Sequence, residues 1–174
     1  MCSSMLLKSF QADYFFGRTM DFASSMFHDD NPAEAGGAVP SQIVNIPANI
    51  EVPSQYKSWQ SKYAVLGVAV KQTSVLYDGI NEAGLTGDLQ VLMECSYASE
   101  TSLNDRNLTA TLGEEVVTQV LTTCKTVADV KEYANKYGLL KQEYDFGTAK
   151  QSMPVHYVFV DESGKGIVLE PTDN

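Results

Sequence analysis

Histidine and cysteine, which often act as general bases, nucleophiles or metal ligands, are scarce in this sequence. Its 174 residues include two histidines and three widely spaced cysteines, Cys2, Cys95 and Cys124. The cysteines form neither a CxxC pair nor a zinc-binding pattern. There is also no GxSxG segment, so a serine–histidine triad has little to rest on. We therefore expect a reduced, cytoplasmic protein without a disulfide, metal or cofactor.

Positive charge and long apolar runs are also scarce. The sequence has 12 lysines and arginines against 22 aspartates and glutamates, a formal net charge of −10. No basic stripe is therefore available for nucleic acid, and attraction to anionic lipid is not expected. No apolar stretch approaches the ~20 residues of a membrane span, and residues 1–10 lack the pattern of a signal peptide. Neither nucleic acid nor a membrane is an expected partner.

The length and composition fit one globular domain, residues 1–174, with room for a hydrophobic core. Short apolar runs bounded by turn residues predict strands at residues 43–46, 63–70, 74–77, 85–93, 155–160 and 167–169. The valine-rich run at 63–70 is typical of a strand buried on both faces. Strands, then two helices, then strands indicate a layered α+β fold.

Two helices are predicted between the strands. Residues 111–114 fit a capping box, after which apolar residues recur at helical spacing as far as Cys124, which we expect in the core. Residues 126–129 indicate a second cap, and Gly138 is expected to end that helix. The apolar faces of both helices would cover one face of a sheet.

Cys2 is a candidate nucleophile because removal of Met1 would place its thiol and a free α-amine on the same residue. An α-amine has a pKa near ~7.7–8.0, so a fair fraction is unprotonated near neutral pH and can take the thiol proton. No histidine is needed for that chemistry. The alternative is that Cys2 has no role and lies near the start of the chain by chance.

The first twenty residues predict a hairpin, with Cys2 on one strand and Arg18 near the end of the other. Arg18 and Asp21 would be the charged pair that serves Cys2. Their odd separation puts them on opposite faces of a continuous strand, so both reach one site only if the strand ends or bulges around residues 19–20. From spacing alone, an ion pair that closes the hairpin is the better interpretation.

Three further polar positions have plainer explanations than catalysis. His28 lies beside two aspartates, but adjacent ligand types on one loop usually mark a solvated loop rather than a metal site. The irregular residues 23–60 around it are loop-like, and a long loop can wall a substrate pocket. Asn81 fits a turn, and His156 lies within a predicted strand, where we expect it to be buried and hydrogen-bonded.

Together these segments resemble the choloylglycine hydrolase family of N-terminal-nucleophile amidases, to which bile salt hydrolases and penicillin V acylases belong. The resemblance covers nearly the whole chain in order. It rests on Met-Cys-Ser-Ser at residues 1–4, Phe-Gly-Arg-Thr-Met-Asp-Phe at 16–22, Lys-Tyr-Ala-Val-Leu-Gly at 62–67, Tyr-Asp-Gly-Ile-Asn-Glu-Ala-Gly-Leu at 77–85, Thr-Val-Ala-Asp-Val at 126–130, His-Tyr-Val-Phe-Val-Asp at 156–161, Ser-Gly-Lys at 163–165 and Ile-Val-Leu-Glu-Pro at 167–171.

The resemblance implies an α-β-β-α sandwich and assigns catalysis to Cys2, Arg18 and Asp21. It puts a substrate contact at Val91, where bile salt hydrolases carry asparagine and penicillin V acylases tyrosine, so only the backbone N–H of Val91 can serve there. The family's Thr-Asn-Ser-Pro motif and a further arginine have no counterpart in this sequence. We therefore expect an incomplete sandwich, truncated on its C-terminal side.

Two functions are compatible with these features. The first is hydrolysis of a linear amide C–N bond in a small molecule, penicillin V or a conjugated bile salt, and residues 76–87 and 156–171 read closer to the penicillin V acylases. Cys2 would attack, Arg18 would stabilise the thiolate, and Asp21 would hold the α-amine. The alternative is an inactive half-domain that acts through dimerisation or partner binding. An incomplete sandwich exposes edges and apolar faces, so a homo-oligomer or a separate C-terminal half is expected.

Overall fold

The computed structural model describes residues 2–20, 41–142, 144–145, 150–151 and 154–172. The strands are β1 (Ser3–Lys8), β2 (Tyr14–Thr19), β3 (Ser41–Ile46), β4 (Glu51–Val52), β5 (Trp59–Gln60), β6 (Val65–Val70), β7 (Leu76–Asn81), β8 (Thr86–Val91), β9 (Thr109–Leu112), β10 (Tyr137–Leu140), β11 (Tyr144–Asp145), β12 (Lys150–Gln151), β13 (Val155–Val160) and β14 (Gly166–Leu169). The helices are α1 (Glu100–Asp105), α2 (Val116–Thr123) and α3 (Val127–Lys136), and a 3-10 turn (Gly113–Glu115) leads into α2.

Six strands form the main sheet, in the order β14-β13-β8-β7-β6-β3, and every neighbouring pair is antiparallel. Because side chains alternate along a strand, directly paired residues mark one face of the sheet. One such row across five strands consists of Ile43, Val68, Asp78, Asp88 and Val158. We call the face that carries this row the hairpin face and the opposite one the helix face.

The helix face is covered by α2 and α3, which enclose the core. Leu121 of α2 lies against Gly79 of β7, where an added Cβ would be 3.2 Å from the Leu121 Cδ1 atom. The largest fully buried side chains of this core include Leu76, Leu85, Val116, Val117, Val120, Leu121, Tyr157 and Phe159. Each large apolar side chain buried in this way contributes about 1.5–3 kcal/mol. The expectation that two helices cover one sheet face is confirmed.

The hairpin face is partly covered by the β1–β2 hairpin. At its turn end, the ring of Tyr14 lies on the backbone of Gly164, between β13 and β14. At its open end, Arg18 Nη1 donates a hydrogen bond to the Tyr77 carbonyl at 3.0 Å. The hairpin therefore lies along the sheet, with its open end over β7 and β8.

Several sequence-based expectations are confirmed. Residues 3–19 form the expected hairpin, with Cys2 directly before its first strand. Thr126 and Asp129 form a capping box at the start of α3, and Cys124 is buried. The cap at residues 111–114 is wrong. Thr111 belongs to β9, which pairs in parallel with β10, and its hydroxyl donates to Gln119 Oε1 at 2.9 Å. Pairing with a distant strand therefore replaces the expected helix start.

Two further expectations are wrong. Gly138 does not end α3, which ends at Lys136. It lies inside β10, where an added Cβ would collide with the Leu103 side chain, so close packing explains the glycine. The run at 63–70 was expected to be buried on both faces, but Leu66 is 54% exposed on the hairpin face. The hairpin covers only part of that face.

Candidate active site

Arg18 lies at the centre of a polar cluster beneath the open end of the hairpin. Its side chain is 7% exposed. Nη1 bonds the Tyr77 carbonyl and lies 3.7 Å from Asp78 Oδ2, while Nε lies 3.9 Å from Asp88 Oδ2. Within the described part of the chain, Nε has no hydrogen-bond partner. One positive charge thus faces two carboxylates.

The two carboxylates differ in their surroundings. Asp78 and Asp88 are direct cross-strand partners, and their side chains are 25% and 0% exposed. Burial raises the pKa of Asp78; Arg18 lowers it, Asp88 raises it again, and the net direction is upward. Like charges paired across strands repel, and Arg18 reduces that repulsion because it lies near both. Asp78 is therefore easier to protonate than an ordinary aspartate.

Ser4 connects the N-terminal strand to the same cluster. It is the direct partner of Arg18 in the hairpin register. Its hydroxyl donates to Asp88 Oδ2 and accepts a hydrogen bond from Gln90 Nε2. The same Gln90 amide also donates to Asp88 Oδ1 at 3.3 Å. Three side chains from β1 and β8 thus form a closed hydrogen-bonded ring.

Cys2 is partly buried and carries a free thiol. It precedes β1 directly and lies two residues before Ser4, so strand alternation places it on the same face of the hairpin as Ser4 and Arg18. The structure thus brings two of the three expected catalytic residues to one end and one face of the hairpin. The third, Asp21, lies outside the described residues. The condition that the strand ends around residues 19–20 is met, because β2 ends at Thr19.

Val91 ends β8, and its side chain is 48% exposed. Alternation from Asp88 puts that side chain on the helix face, away from the cluster. Leu92 N–H donates to the Pro154 carbonyl at 3.0 Å, which directs the Val91 N–H away from β13 and towards the β7 side. The pairing of β7 with β8 stops at Asp88, so Val91 lies beyond it. A role for its backbone N–H stays a prediction.

Asn81 and His156, the two other polar candidates in the described ranges, contact other parts of the fold. Asn81 donates to the Leu121 and Cys124 carbonyls at 2.8 Å each and accepts from two turn amides, so it joins the end of α2 to the β7–β8 turn. His156 is largely buried, with Nδ1 3.5 Å from Glu170 Oε1. The expectation of a hydrogen bond fails for that nitrogen, which has none among the described residues.

No group of three potential metal ligands occurs in the described ranges, and His28 lies outside them. No helix in those ranges is long and apolar enough to cross a membrane.

Sequence reasoning did not identify Ser4, Asp78, Asp88 and Gln90 as parts of the site. A signal was present for two of them. Asp88 and Gln90 are polar residues at a spacing of two within a strand that is otherwise suited to burial. That spacing places both on one face, and buried polar side chains need partners. The partners themselves come from the hairpin, which no local pattern relates to β8.

Comparison with known proteins adds a family and a fold. Residues 2–174 match the family described as linear amide C–N hydrolases, choloylglycine hydrolase family. An uncharacterized protein of Paramecium bursaria Chlorella virus 1 is 36% identical over 104 residues, which is 57% of this chain and 34% of the viral protein.

Solved structures with the same fold include three that the chain matches over 99% of its length. The C2A mutant of conjugated bile acid hydrolase from Clostridium perfringens has a TM-score of 0.77 at 24% identity, with 49% of that chain covered. The R18L variant of the same enzyme has a TM-score of 0.75 at 22% identity, with 48% of its chain covered. Penicillin V acylase from Agrobacterium tumefaciens has a TM-score of 0.70 at 18% identity, with 47% of its chain covered. This chain thus spans about half the length of these enzymes, which confirms the α+β sandwich and its incompleteness here.

Proposed function

We propose, from the premise that this chain belongs to the choloylglycine hydrolase family of linear amide C–N hydrolases, that it cleaves the amide bond of a small N-acyl compound. The nucleophile is the Cys2 thiol, which becomes part of the first residue when Met1 is removed. The observation that carries this proposal is the placement of Cys2 and the buried Arg18 on one face at the open end of the hairpin.

The proposed reaction has two halves. In the first, the α-amine of Cys2 takes the thiol proton as sulfur attacks the carbonyl carbon. The C–N bond of the tetrahedral intermediate then breaks, the α-ammonium group gives its proton to the leaving amine, and an acyl thioester remains. In the second half, a water molecule gives a proton to the α-amine and attacks the thioester. The acid leaves, and the thiol recovers its proton.

Charged and polar groups around Cys2 have separate tasks in this scheme. Arg18 stabilises the thiolate by charge, although Asp78 and Asp88 share its field. Asp21 holds the α-ammonium group by a charge-assisted hydrogen bond. The backbone N–H of Val91 donates to the oxyanion that develops on the carbonyl oxygen.

The proposed substrates are amides that join a bulky apolar acyl group to an amine carrying an acid group. The names of the structural relatives, conjugated bile acid hydrolase and penicillin V acylase, refer to two such compounds. The variants C2A and R18L of the bile acid hydrolase replace a cysteine and an arginine, and this chain has the same two residue types at Cys2 and Arg18. We place penicillin V first, because residues 76–87 and 156–171 read closer to its acylases.

A second candidate function is binding of a partner or a second copy by an inactive half-domain. It is favoured by the outward face of the hairpin, where Met5, Leu7 and Phe15 are each more than half exposed. Contiguous exposed apolar side chains often mark an interaction surface. Size-exclusion chromatography with light scattering tests binding of a second copy: a dimer or larger species supports it, and a monomer at all concentrations contradicts it.

The experiment for the hydrolase proposal measures release of free amine from penicillin V and from a glycine-conjugated bile salt, with the N-terminal peptide identified by mass spectrometry. We expect turnover of at least one compound by a protein whose first residue is Cys2. An active preparation in which Met1 precedes Cys2 would contradict the mechanism. Absence of turnover in a folded preparation that begins at Cys2 would favour the binding function.

A further inference from the structure

The strand that directly follows the candidate nucleophile, β1, makes few of the described contacts with the main sheet. Among the described strands, β1 pairs only with β2. Five of its six residues are exposed, and Ser4 alone is partly buried. The position of Cys2 over the sheet therefore depends on contacts made by the hairpin as a whole and, within β1, on Ser4 and Leu6. Leu6 is 38% exposed and lines a pocket with Ile80 and Val160. Ser4 is the nearer of the two to Cys2.

The contact between Ser4 and β8 is a hydrogen bond to the carboxylate of Asp88. That carboxylate needs hydrogen-bond donors because it is buried. Asp88 is fully buried, and a buried ionised carboxylate is costly unless hydrogen bonds and a counter-charge satisfy it. Its donors are the Ser4 hydroxyl and the Gln90 amide, and Arg18 supplies the nearby positive charge. Of the two side chains that donate to this carboxylate within the described ranges, one thus comes from the N-terminal strand.

The geometry of the ring fixes a register as well as a contact. The Gln90 amide donates both to Ser4 Oγ and to Asp88 Oδ1, so the hydroxyl oxygen has a defined acceptor direction and a defined donor direction. Sliding β1 by one residue would turn Ser4 away and present an exposed neighbour, Ser3 or Met5, to the buried carboxylate.

We propose that Asp88 and Gln90 are positioning residues, which act through Ser4 to fix β1 on the sheet and thereby place the Cys2 thiol two residues away. The consequence for catalysis rests on the proposed function, whereas the placement of the strand does not. Neither residue touches the reacting atoms in this scheme. Their effect is on where the nucleophile lies.

The chain offers a matched pair of variants for the test. Ser4→Ala removes the hydroxyl from the ring. Ser3→Ala makes the same chemical change on the exposed side of the same strand, where the backbone N–H bond of Ser3 to Thr19 Oγ1 is retained. Ser4→Thr keeps a hydroxyl and serves as the rescue variant. Asp88→Asn removes the charge but keeps an oxygen that can accept from Ser4.

Two readouts do not require turnover. The first is hydrogen exchange of the β1 amides, with those of β7 and β8 as a check that the core is folded. The second is the rate at which iodoacetamide modifies Cys2 relative to Cys95. We expect exchange of the β1 amides to become about tenfold faster in Ser4→Ala, which loses a hydrogen bond to a charged group. It should also become faster in Asp88→Asn, where the same hydrogen bond then joins two neutral groups. Ser3→Ala and Ser4→Thr stay within about twofold of wild type.

The relative modification rate of Cys2 should change in Ser4→Ala and Asp88→Asn and stay at the wild-type value in the other two variants. Unchanged exchange and modification in Ser4→Ala would overturn the proposal. So would an equal change in Ser3→Ala, because the effect would then come from the strand and not from the ring.

Where the wild type turns over an amide, we expect kcat to fall about tenfold or more in Ser4→Ala with KM within about threefold, since a displacement of ~1 Å can cost ~100-fold in rate. Altered exchange and modification without turnover in any preparation would support the positioning role while contradicting the hydrolase function. An unchanged kcat in a variant with mobile β1 would overturn the catalytic consequence.

Discussion

Asp78 and Asp88 face each other across β7 and β8, and their only described cation is shared. Arg18 reaches both from the hairpin, with its Nη1 and Nε atoms 3.7 and 3.9 Å from the two carboxylates. The arrangement ties the hairpin to the sheet by charge. It also leaves a surplus of negative charge in a largely buried place, which has a consequence for stability as a function of pH.

The substitution Asp78→Asn tests that consequence. Burial, opposed by Arg18 and reinforced by Asp88, raises the pKa of Asp78 in the folded state. Folding then binds a proton, so the wild type loses stability as pH rises from about 3.8, the unfolded value, through the raised folded pKa. We expect the stability of Asp78→Asn relative to wild type to be greater at about pH 7 than at about pH 3.5. Urea unfolding at both pH values measures it, and a gain that is equal at the two would contradict the argument.

Asp129 provides a case with the opposite sign. Burial alone would raise its pKa, but hydrogen bonds from Lys125 and Thr126 at the start of α3 outweigh it and lower the pKa. Its stabilisation is present above the unfolded value and is lost as pH falls through the folded pKa. We expect Asp129→Asn to cost about 1 kcal/mol near pH 7, and the cost to vanish in acid. Glu132→Gln, on an exposed position of α3, is the control and should show neither effect.

The three cysteines should differ in reactivity. Burial raises the pKa of Cys124 to about 11, so roughly 0.1% of it is thiolate at about pH 8. Burial and the neighbours Glu170 and Glu94 also raise the pKa of Cys95. We expect iodoacetamide to modify Cys2 first, Cys95 more slowly and Cys124 last, as followed by peptide mass spectrometry. In urea the three rates should converge. Modification of Cys124 as fast as Cys2 in the folded protein would be incompatible with this account.

Gly138 tests the packing between β10 and α1. An added Cβ would collide with the Leu103 side chain, which is buried. We expect Gly138→Ala to lower the free energy of unfolding by about 1–3 kcal/mol, the usual cost of overpacking. Gly166→Ala is the matched control, because its Cβ would meet nothing closer than 3.7 Å. Equal stability of the two variants would mean that the glycine has another purpose.

The sequence predicted those parts of the fold that depend on neighbouring residues. The hairpin and the cap formed by Thr126 and Asp129 are set by local patterns, and both were found. Thr111 was misassigned because its partner, Leu139, lies in a strand that follows two helices, and no local pattern relates them. Gly138 was misassigned for a similar reason: the atom that excludes a side chain belongs to Leu103.

The candidate site was also predicted only in part from the sequence. A motif near the start of the chain predicted roles for Cys2 and Arg18, which stay predictions, and the register of the hairpin places the two residues on one face. The residues that surround Arg18, which are Asp78 and Asp88, come from strands whose pairing only the tertiary fold creates. Ser4 was not singled out because one of two adjacent serines in an exposed strand has many ordinary explanations.

The most direct test of the central claim is amide turnover by Cys2→Ser beside the wild type and Cys95→Ser. A serine hydroxyl is far harder to ionise than a thiol with a pKa near ~8.5, and an α-amine cannot deprotonate it readily. We expect Cys2→Ser to lose nearly all turnover while its stability changes by less than about 1 kcal/mol, and Cys95→Ser to keep its activity. Turnover that survives in Cys2→Ser and disappears in Cys95→Ser would contradict the assignment of Cys2 as the nucleophile.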